Sequence, residues 1–143
     1  MIFLDANYFI NLYVKPNKLK KDKLHEKNHK RAKEIYKIIE NKQKLISNLT
    51  IIEVITVLNV NQKQDPYLIS KVYKDLNNNY DIVNDTVFHE KGFNILKNEF
   101  KKNKERLPLF DCIYMALMQE LEIKEIVSFD EHFDNKEDIV RIH

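Results

Sequence analysis

The chain has 143 residues, 43% of them hydrophobic and 32% charged, which fits one folded domain around a single substantial core and argues against wholesale disorder. Its 24 Lys and Arg nearly cancel 22 Asp and Glu, so a formal net charge of +2 announces no nucleic-acid partner, and only the distribution of charge can do so. One glycine, Gly92, excludes the glycine-rich loops that cradle phosphates, and one cysteine, Cys112, excludes an internal disulfide or a thiolate zinc knuckle.

No apolar run reaches the length of a membrane span, and the chain opens on a strand-like run rather than a basic leader. The expectation is a cytoplasmic protein with no membrane partner. Residues 2–4 are continuously apolar and predict a short buried strand ending at Asp5. A helix follows from about residue 7, with Phe9, Ile10, Tyr13 and Val14 at helical spacing, and Pro16 stops it. Residues 18–31 are the one shift in composition, polar and basic through Lys18, Lys20, Lys21, Lys23, Lys27, Lys30 and Arg31. They lead into a helix with Ala32, Ile35, Tyr36 and Ile39 as its apolar stripe, and residues 44–46 predict a second strand.

From Thr50 the spacing of Ile51, Val54, Ile55 and Leu58 is helical, whereas the many β-branched residues favour a strand. The run is long for a strand, so the expectation is a strand followed by a helix. Asp65 and Pro66 cap and open the next helix, which fades into Asn77, Asn78 and Asn79 before a third strand over residues 80–83. A helix over residues 85–102 is expected to place Phe88, Phe93, Leu96 and Phe100 on its core face. Pro108 opens a largely buried helix through Leu121, with Cys112 as a small buried thiol, and residues 125–128 and 139–142 predict two further strands. Strands alternating with helices imply a layered α/β fold with a largely parallel sheet of four to five strands, in one domain over residues 1–143.

Asp5, Glu53, Asp111 and Asp130 each sit where an apolar run meets its surface end. Carboxylates there cost desolvation energy unless something positive compensates them, and their convergence would make a site for a hard cation. Each also has a structural explanation. Asp5 could cap the first helix, although Asn7 is an equally good cap; Glu53 completes a capping box with Thr50. Asp111 lies in a first helical turn, where the dipole favours an acid, yet Leu107, Leu109, Phe110 and Ile113 surround it with apolar side chains. Asp130 suits a turn, and Asp134 is a candidate fifth member, read as the more solvated of the two. His25, His29, His89, His132 and His143 are scattered and read as surface residues, and Tyr8 and Tyr13 as core in preference to base-stacking platforms.

The order and surroundings of the four acids resemble the PIN-domain ribonucleases. The resemblance rests on Asp5-Ala6-Asn7 after the first strand, on Pro108-Leu109-Phe110-Asp111 opening a helix, and on Ser128-Phe129-Asp130 followed by Phe133. It runs from Ile2 to the end, at a length similar to VapC-type toxins. Two departures are Cys112, where an alanine is common, and the length of the basic segment.

The resemblance implies a three-layer α/β/α fold and a metal-dependent endoribonuclease. Asp5, Glu53, Asp111 and Asp130 would hold one or two Mg²⁺ or Mn²⁺ ions that activate water against a phosphodiester, and Asn7 and Ser128 would orient the acids. It also implies an RNA substrate and a small antitoxin partner; a homodimer is compatible with the exposed apolar faces of the early helices. The basic residues from Lys18 to Arg31 are candidate RNA contacts, with Lys101, Lys102, Lys104 and Arg106 a second basic stretch, against the alternative of solvated faces. Two other functions stay open: an RNA-processing nuclease without an antitoxin, and a non-catalytic RNA- or protein-binding module in which the acids are caps. Phosphatases of the Asp-x-Asp type are disfavoured, because Asn stands at position 7.

Overall fold

The structure, a computed structural model, describes residues 1–17 and 22–143, so Lys18, Lys20 and Lys21 of the basic segment lie outside the described residues. Five strands, β1 (Ile2–Leu4), β2 (Lys44–Ser47), β3 (Asp81–Val83), β4 (Glu125–Val127) and β5 (Val140–Ile142), pair throughout in parallel in the order β3-β2-β1-β4-β5. Between them run α1 (Ala6–Tyr13), α2 (Lys23–Ile38), α3 (Asn48–Thr56), α4 (Pro66–Asn79), α5 (His89–Asn103) and α6 (Leu109–Glu120).

Alternation along the strands makes two cores. Ile2, Leu4, Ile46 and Val127 point to one face and pack with Phe9, Ile35, Val54 and Val72 from α1–α4. Phe3, Leu45 and Ile126 point to the other and pack with Tyr114, Leu117 and Met118 of α6. Successive strand residues alternate faces, so each short strand feeds both layers, with about 1.5–3 kcal/mol for each large apolar side chain removed from water. The three-layer α/β expectation is met. Because the order runs from β1 to β2 and β3 on one side and to β4 and β5 on the other, the crevice between the carboxyl ends of β1 and β4 is a topological switch point.

Local chemistry sets the helix ends. Asp5 caps α1, and Asp22 caps α2 through the His25 N–H at 3.1 Å. The second half of the basic segment is therefore the start of α2, not a connection. His25 Nε2 and His29 Nδ1 sit 3.0 Å and 2.8 Å from the carbonyls of Val14 and Asn11, holding α2 to the end of α1. Asp65 and Pro66 cap and open α4 as expected.

Three expectations fail here. The run from Thr50 holds no strand: Ser47, at the end of β2, caps α3 directly, and α3 continues into a π-helical turn at Val57–Asn61. Burial of Ile51, Val54 and Leu58 against the sheet overrides the β preference of their branched side chains. Tyr36 is half exposed and outside the apolar stripe. On α5, Phe93 and Phe100 are 50% and 40% exposed, while Phe88, Ile95 and Leu96 pack inward.

The single glycine explains that rotation of α5. A Cβ on Gly92 would lie 2.7 Å from Ile113 Cγ1 and 2.8 Å from Ile113 Cα, so α5 presses on the α6 backbone at this residue. Alanine would gain about 1 kcal/mol of helix propensity there but meet backbone that cannot move alone, at a typical overpacking cost of about 1–3 kcal/mol. Gly92→Ala is predicted to lower the midpoint of urea denaturation; a midpoint at or above that of the parent chain would contradict this packing.

Candidate active site

All four predicted acids come to the carboxyl edge of the sheet. Asp5 follows β1 and is buried. Its Oδ1 accepts the Ala6 N–H at 2.6 Å, and its Oδ2 accepts the Ser128 hydroxyl at 2.6 Å, across the gap between β1 and β4. Asp5 is thus itself the helix cap, and Asn7 is not: Asn7 Oδ1 accepts the Phe129 N–H at 2.9 Å, and its amide nitrogen donates to Ser128 Oγ at 3.3 Å. With its one proton given to Asp5, the Ser128 oxygen also accepts the Asp130 N–H at 2.9 Å. One hydroxyl fixes Asp5, Asn7 and the turn that carries Asp130.

Glu53 loses its structural explanation. The capping box of α3 is made by Ser47 and Thr50, leaving the Glu53 carboxylate to the Tyr114 hydroxyl, which donates to Oε2 at 3.4 Å. The Tyr114 hydroxyl in turn accepts from Thr50 Oγ1 at 3.3 Å, so buried groups from α3 and α6 aim this acid. Asp111, 1% exposed in the first turn of α6, pairs through Oδ2 with His132 Nδ1 at 2.7 Å. Asp130 caps the short turn Glu131–Phe133 through the His132 N–H, so turn chemistry and a place at the site coexist in one residue.

His132 was the missed residue. Its Nδ1 is 2.7 Å from Asp111 and 3.0 Å from Asp130, and ligand atoms of Asp111, Asp130 and His132 all lie within 4.8 Å of one another. The sequence signal was its spacing, two residues after an acid at a strand end. Asp134 goes the other way: Arg141 binds it at 2.6 Å and 2.7 Å, and the charges that act on it are those of Arg141 and His143. Another buried acid, Asp85, is spent on scaffold, accepting the Leu49 N–H at 2.8 Å and facing His89 Nε2 at 2.8 Å. Tyr8 is fully buried against Phe9 and Tyr13 stacks on Phe9, so both belong to the core. Burial likewise pushes the Cys112 thiol up to about 11, leaving it protonated and inert.

Electrostatics tie the acids together. Asp5 is pushed up to about 7 by burial and, after the opposing Ser128 hydrogen bond, by the charges of Glu53 and Asp130. Glu53 rises to about 7 through burial and the charge of Asp111. Asp111 rises to about 7 through burial and the charge of Asp5, against the bond from His132. Burial lowers the His132 pKa, but the bond to Asp111 and the charges of Asp130 and Asp111 outweigh it and hold the imidazole above its ordinary value. A concentration of oxygen donors that resist ionising together fits a hard divalent cation. A cavity of about 670 Å³ between Tyr13, Tyr36, Lys71 and Tyr80 contains none of these acids.

An all-parallel α/β sheet with converging carboxylates at its switch point defines a carboxylate-centred α/β domain. The PIN domain family model matches residues 2–139, and the chain belongs to that family. Among solved structures it is similar to a Mycobacterium tuberculosis VapC20, described as a sarcin-ricin loop cleaving toxin, with a TM-score of 0.67 and 14% identity over 92% of this chain and 91% of that one. A toxin-antitoxin complex from Klebsiella pneumoniae matches with a TM-score of 0.64 and 18% identity, covering 98% of this chain and 96% of the other. FitAcB from Neisseria gonorrhoeae matches with a TM-score of 0.58 and 15% identity over 92% and 88%. No curated protein matches the chain by sequence.

The raised carboxyl groups set a pH dependence. Asp5, Glu53 and Asp111 are pushed up to about 7 in the folded state, from ordinary values of 3.8, 4.5 and 3.8, so between these limits the folded state binds more protons than the unfolded state. Their contribution to stability is therefore lost as pH rises through that window, and His132, also raised, acts in the same direction. Glu99 and Asp134 are lowered and act with opposite sign, but below it. In chelator, the melting temperature is predicted to fall between about pH 5 and pH 8, and Mn²⁺ at pH 8 to restore it. A melting temperature that rises over this range without metal would contradict the assignment.

Proposed function

We propose that this PIN domain is a VapC-type endoribonuclease that hydrolyses RNA phosphodiester bonds with Mg²⁺ or Mn²⁺ and is restrained by a small antitoxin protein. The observation that carries the reading is the convergence of Asp5, Glu53 and Asp111 at one desolvated corner, each raised to about 7. Asp5, Glu53, Asp111 and Asp130 would hold the cation. When bound, it supplies positive charge against the attacked phosphate and makes water acidic enough to act as nucleophile near neutral pH.

The chain's own groups prepare that chemistry. Ser128 holds Oδ2 of Asp5, and Asn7 holds the backbone of the turn carrying Asp130. Tyr114 aims Glu53, and His132 keeps Asp111 and Asp130 at a fixed separation from one imidazole nitrogen. Substrate steering falls to the described part of the basic segment. Lys27, Lys30 and Arg31 line a cavity with Phe129, the neighbour of Asp130, while Arg31 is anchored on the His143 carbonyl at 2.9 Å. Cations beside a phosphate-processing site raise encounter rates and orient the backbone without reading sequence. The VapC20 and toxin-antitoxin structures supply the rationale for a toxin with a protein inhibitor. Among the described residues no helix is long and apolar enough to cross a membrane.

Purified protein is expected to degrade total RNA with Mn²⁺ and not in chelator. Asp111→Asn and Asp5→Asn should each reduce cleavage by at least about a hundredfold with folding intact. Undiminished cleavage by folded Asp111→Asn protein would sink the nuclease reading. Harmless expression of the chain alone, with no small protein co-purifying, would favour a processing nuclease over a toxin.

A further inference from the structure

The solvent face of α5 carries a pattern that the carboxylate site does not use. Phe93, Lys97, Phe100 and Lys104 recur at intervals of four, three and four residues, one stripe on a helix whose other face presses Gly92 on Ile113. Both rings are substantially exposed, and both are flanked by cations. Lys97 Nζ lies 5.1 Å from the Phe93 centroid, while Lys104 Nζ and the Arg106 guanidinium carbon lie 5.6 Å and 4.8 Å from that of Phe100. Of the acids in this segment, Glu99 lies off the stripe, Glu105 lines the cleft beside Phe100, and Glu90 stands one turn before Phe93. Lys136 binds Glu99 at 3.0 Å and Glu105 at 2.6 Å, which offsets the charge of both. Among the described residues, Lys97, Lys104 and Arg106 make no ion pair.

The stripe leads to the site. Arg106 is five residues from Asp111, at most about 18 Å of extended chain. Leu109 and Phe110, between them, are 43% and 38% exposed. The charge of Glu105 reaches His132, the residue that bridges Asp111 and Asp130. Leu96, Lys97, Phe100, Arg106 and Leu107, with Glu105 held by Lys136, line a cleft of about 420 Å³ along the way.

Resting on the nuclease reading, we propose that this stripe is the track on which single-stranded substrate RNA lies on its way to the carboxylates, its bases on Phe93 and Phe100 and its phosphates against Lys97, Lys104 and Arg106. The two rings are about 10 Å apart along the helix axis, and the cations stand between and beyond them. Exposed rings offer nothing to a duplex, whose bases are already stacked, but each can take an unstacked base. An acidic peptide would use the cations and leave the rings idle. The requirement for unpaired bases is therefore built into α5, outside the catalytic residues.

The test pairs two readouts on the full chain. Binding of a fluorescent single-stranded RNA and of a hairpin duplex is followed by anisotropy with Ca²⁺, and metal-centre function by Mn²⁺-dependent hydrolysis of bis(4-nitrophenyl) phosphate. Phe100→Leu should weaken single-strand binding about tenfold and leave the duplex unaffected. Lys104→Gly removes an ammonium while easing a left-handed backbone (φ 57), so it should keep stability and reduce the salt slope of single-strand binding by about 0.7. Ester hydrolysis should be unchanged in both variants. Parental single-strand affinity in both variants, or equal losses for strand and duplex, overturns the proposal. So does displacement of RNA by polyglutamate that depends on Lys104 but not on Phe100, which assigns the face to an acidic protein. If the parent chain fails to hydrolyse the ester while RNA binding still depends on Phe100, the nuclease reading fails and the track stands.

Discussion

Asp5, Glu53 and Asp111 share one desolvated corner, and ionising any one of them raises the cost of ionising the next. Left alone, such a group would drive its members apart or keep them protonated. They are held instead by hydrogen bonds with little freedom: the Ser128 hydroxyl on Asp5, the Tyr114 hydroxyl on Glu53 and the His132 ring on Asp111. None of these partners neutralises the whole set. The fold thus concentrates carboxyl groups that resist ionising together, the condition under which a bound divalent cation would stabilise the folded state.

The arrangement depends on the sheet order. β1 lies between β2 and β4, so the turns leaving β1 and β4 flank the switch-point crevice, and the Ser128–Asp5 bond spans it. α3 starts directly at the end of β2 because Ser47 caps it, and this places Glu53 one and a half turns above the sheet edge. On the opposite layer, the close crossing of α5 at Gly92 sets α6, whose first turn carries Asp111 and whose second carries Tyr114. Moving that crossing would move the acid and the hydroxyl that aims its neighbour together.

Much of this was legible in the sequence, for identifiable reasons. Short apolar runs such as residues 2–4 and the Asp65-Pro66 cap have local causes, and the structure places strand and helix there. The four acids were legible because carboxylates at the ends of buried runs are costly. What escaped reading was pairing between distant segments. Thr50 and Glu53 match a capping box, but the alternative box from Ser47 needs the end of β2 to be known. Asp134 looked like a spare acid until Arg141 of β5 took it, and His132 looked like a surface residue until α6 brought Asp111 to it. Phe93 and Phe100 had a core-like period with Leu96, and only the Gly92 contact decides which face of α5 turns inward.

On the proposed function, a divalent cation would take the place of protons at these carboxyl groups. Calorimetric titration of Mn²⁺ into the protein near pH 6, in two buffers of different ionisation enthalpy, counts the protons released on binding. With Asp5, Glu53 and Asp111 each raised to about 7, release of at least about one proton per ion is predicted near pH 6, falling toward none near pH 8.5. Binding without proton release near pH 6, or no binding in folded protein at either pH, would contradict it.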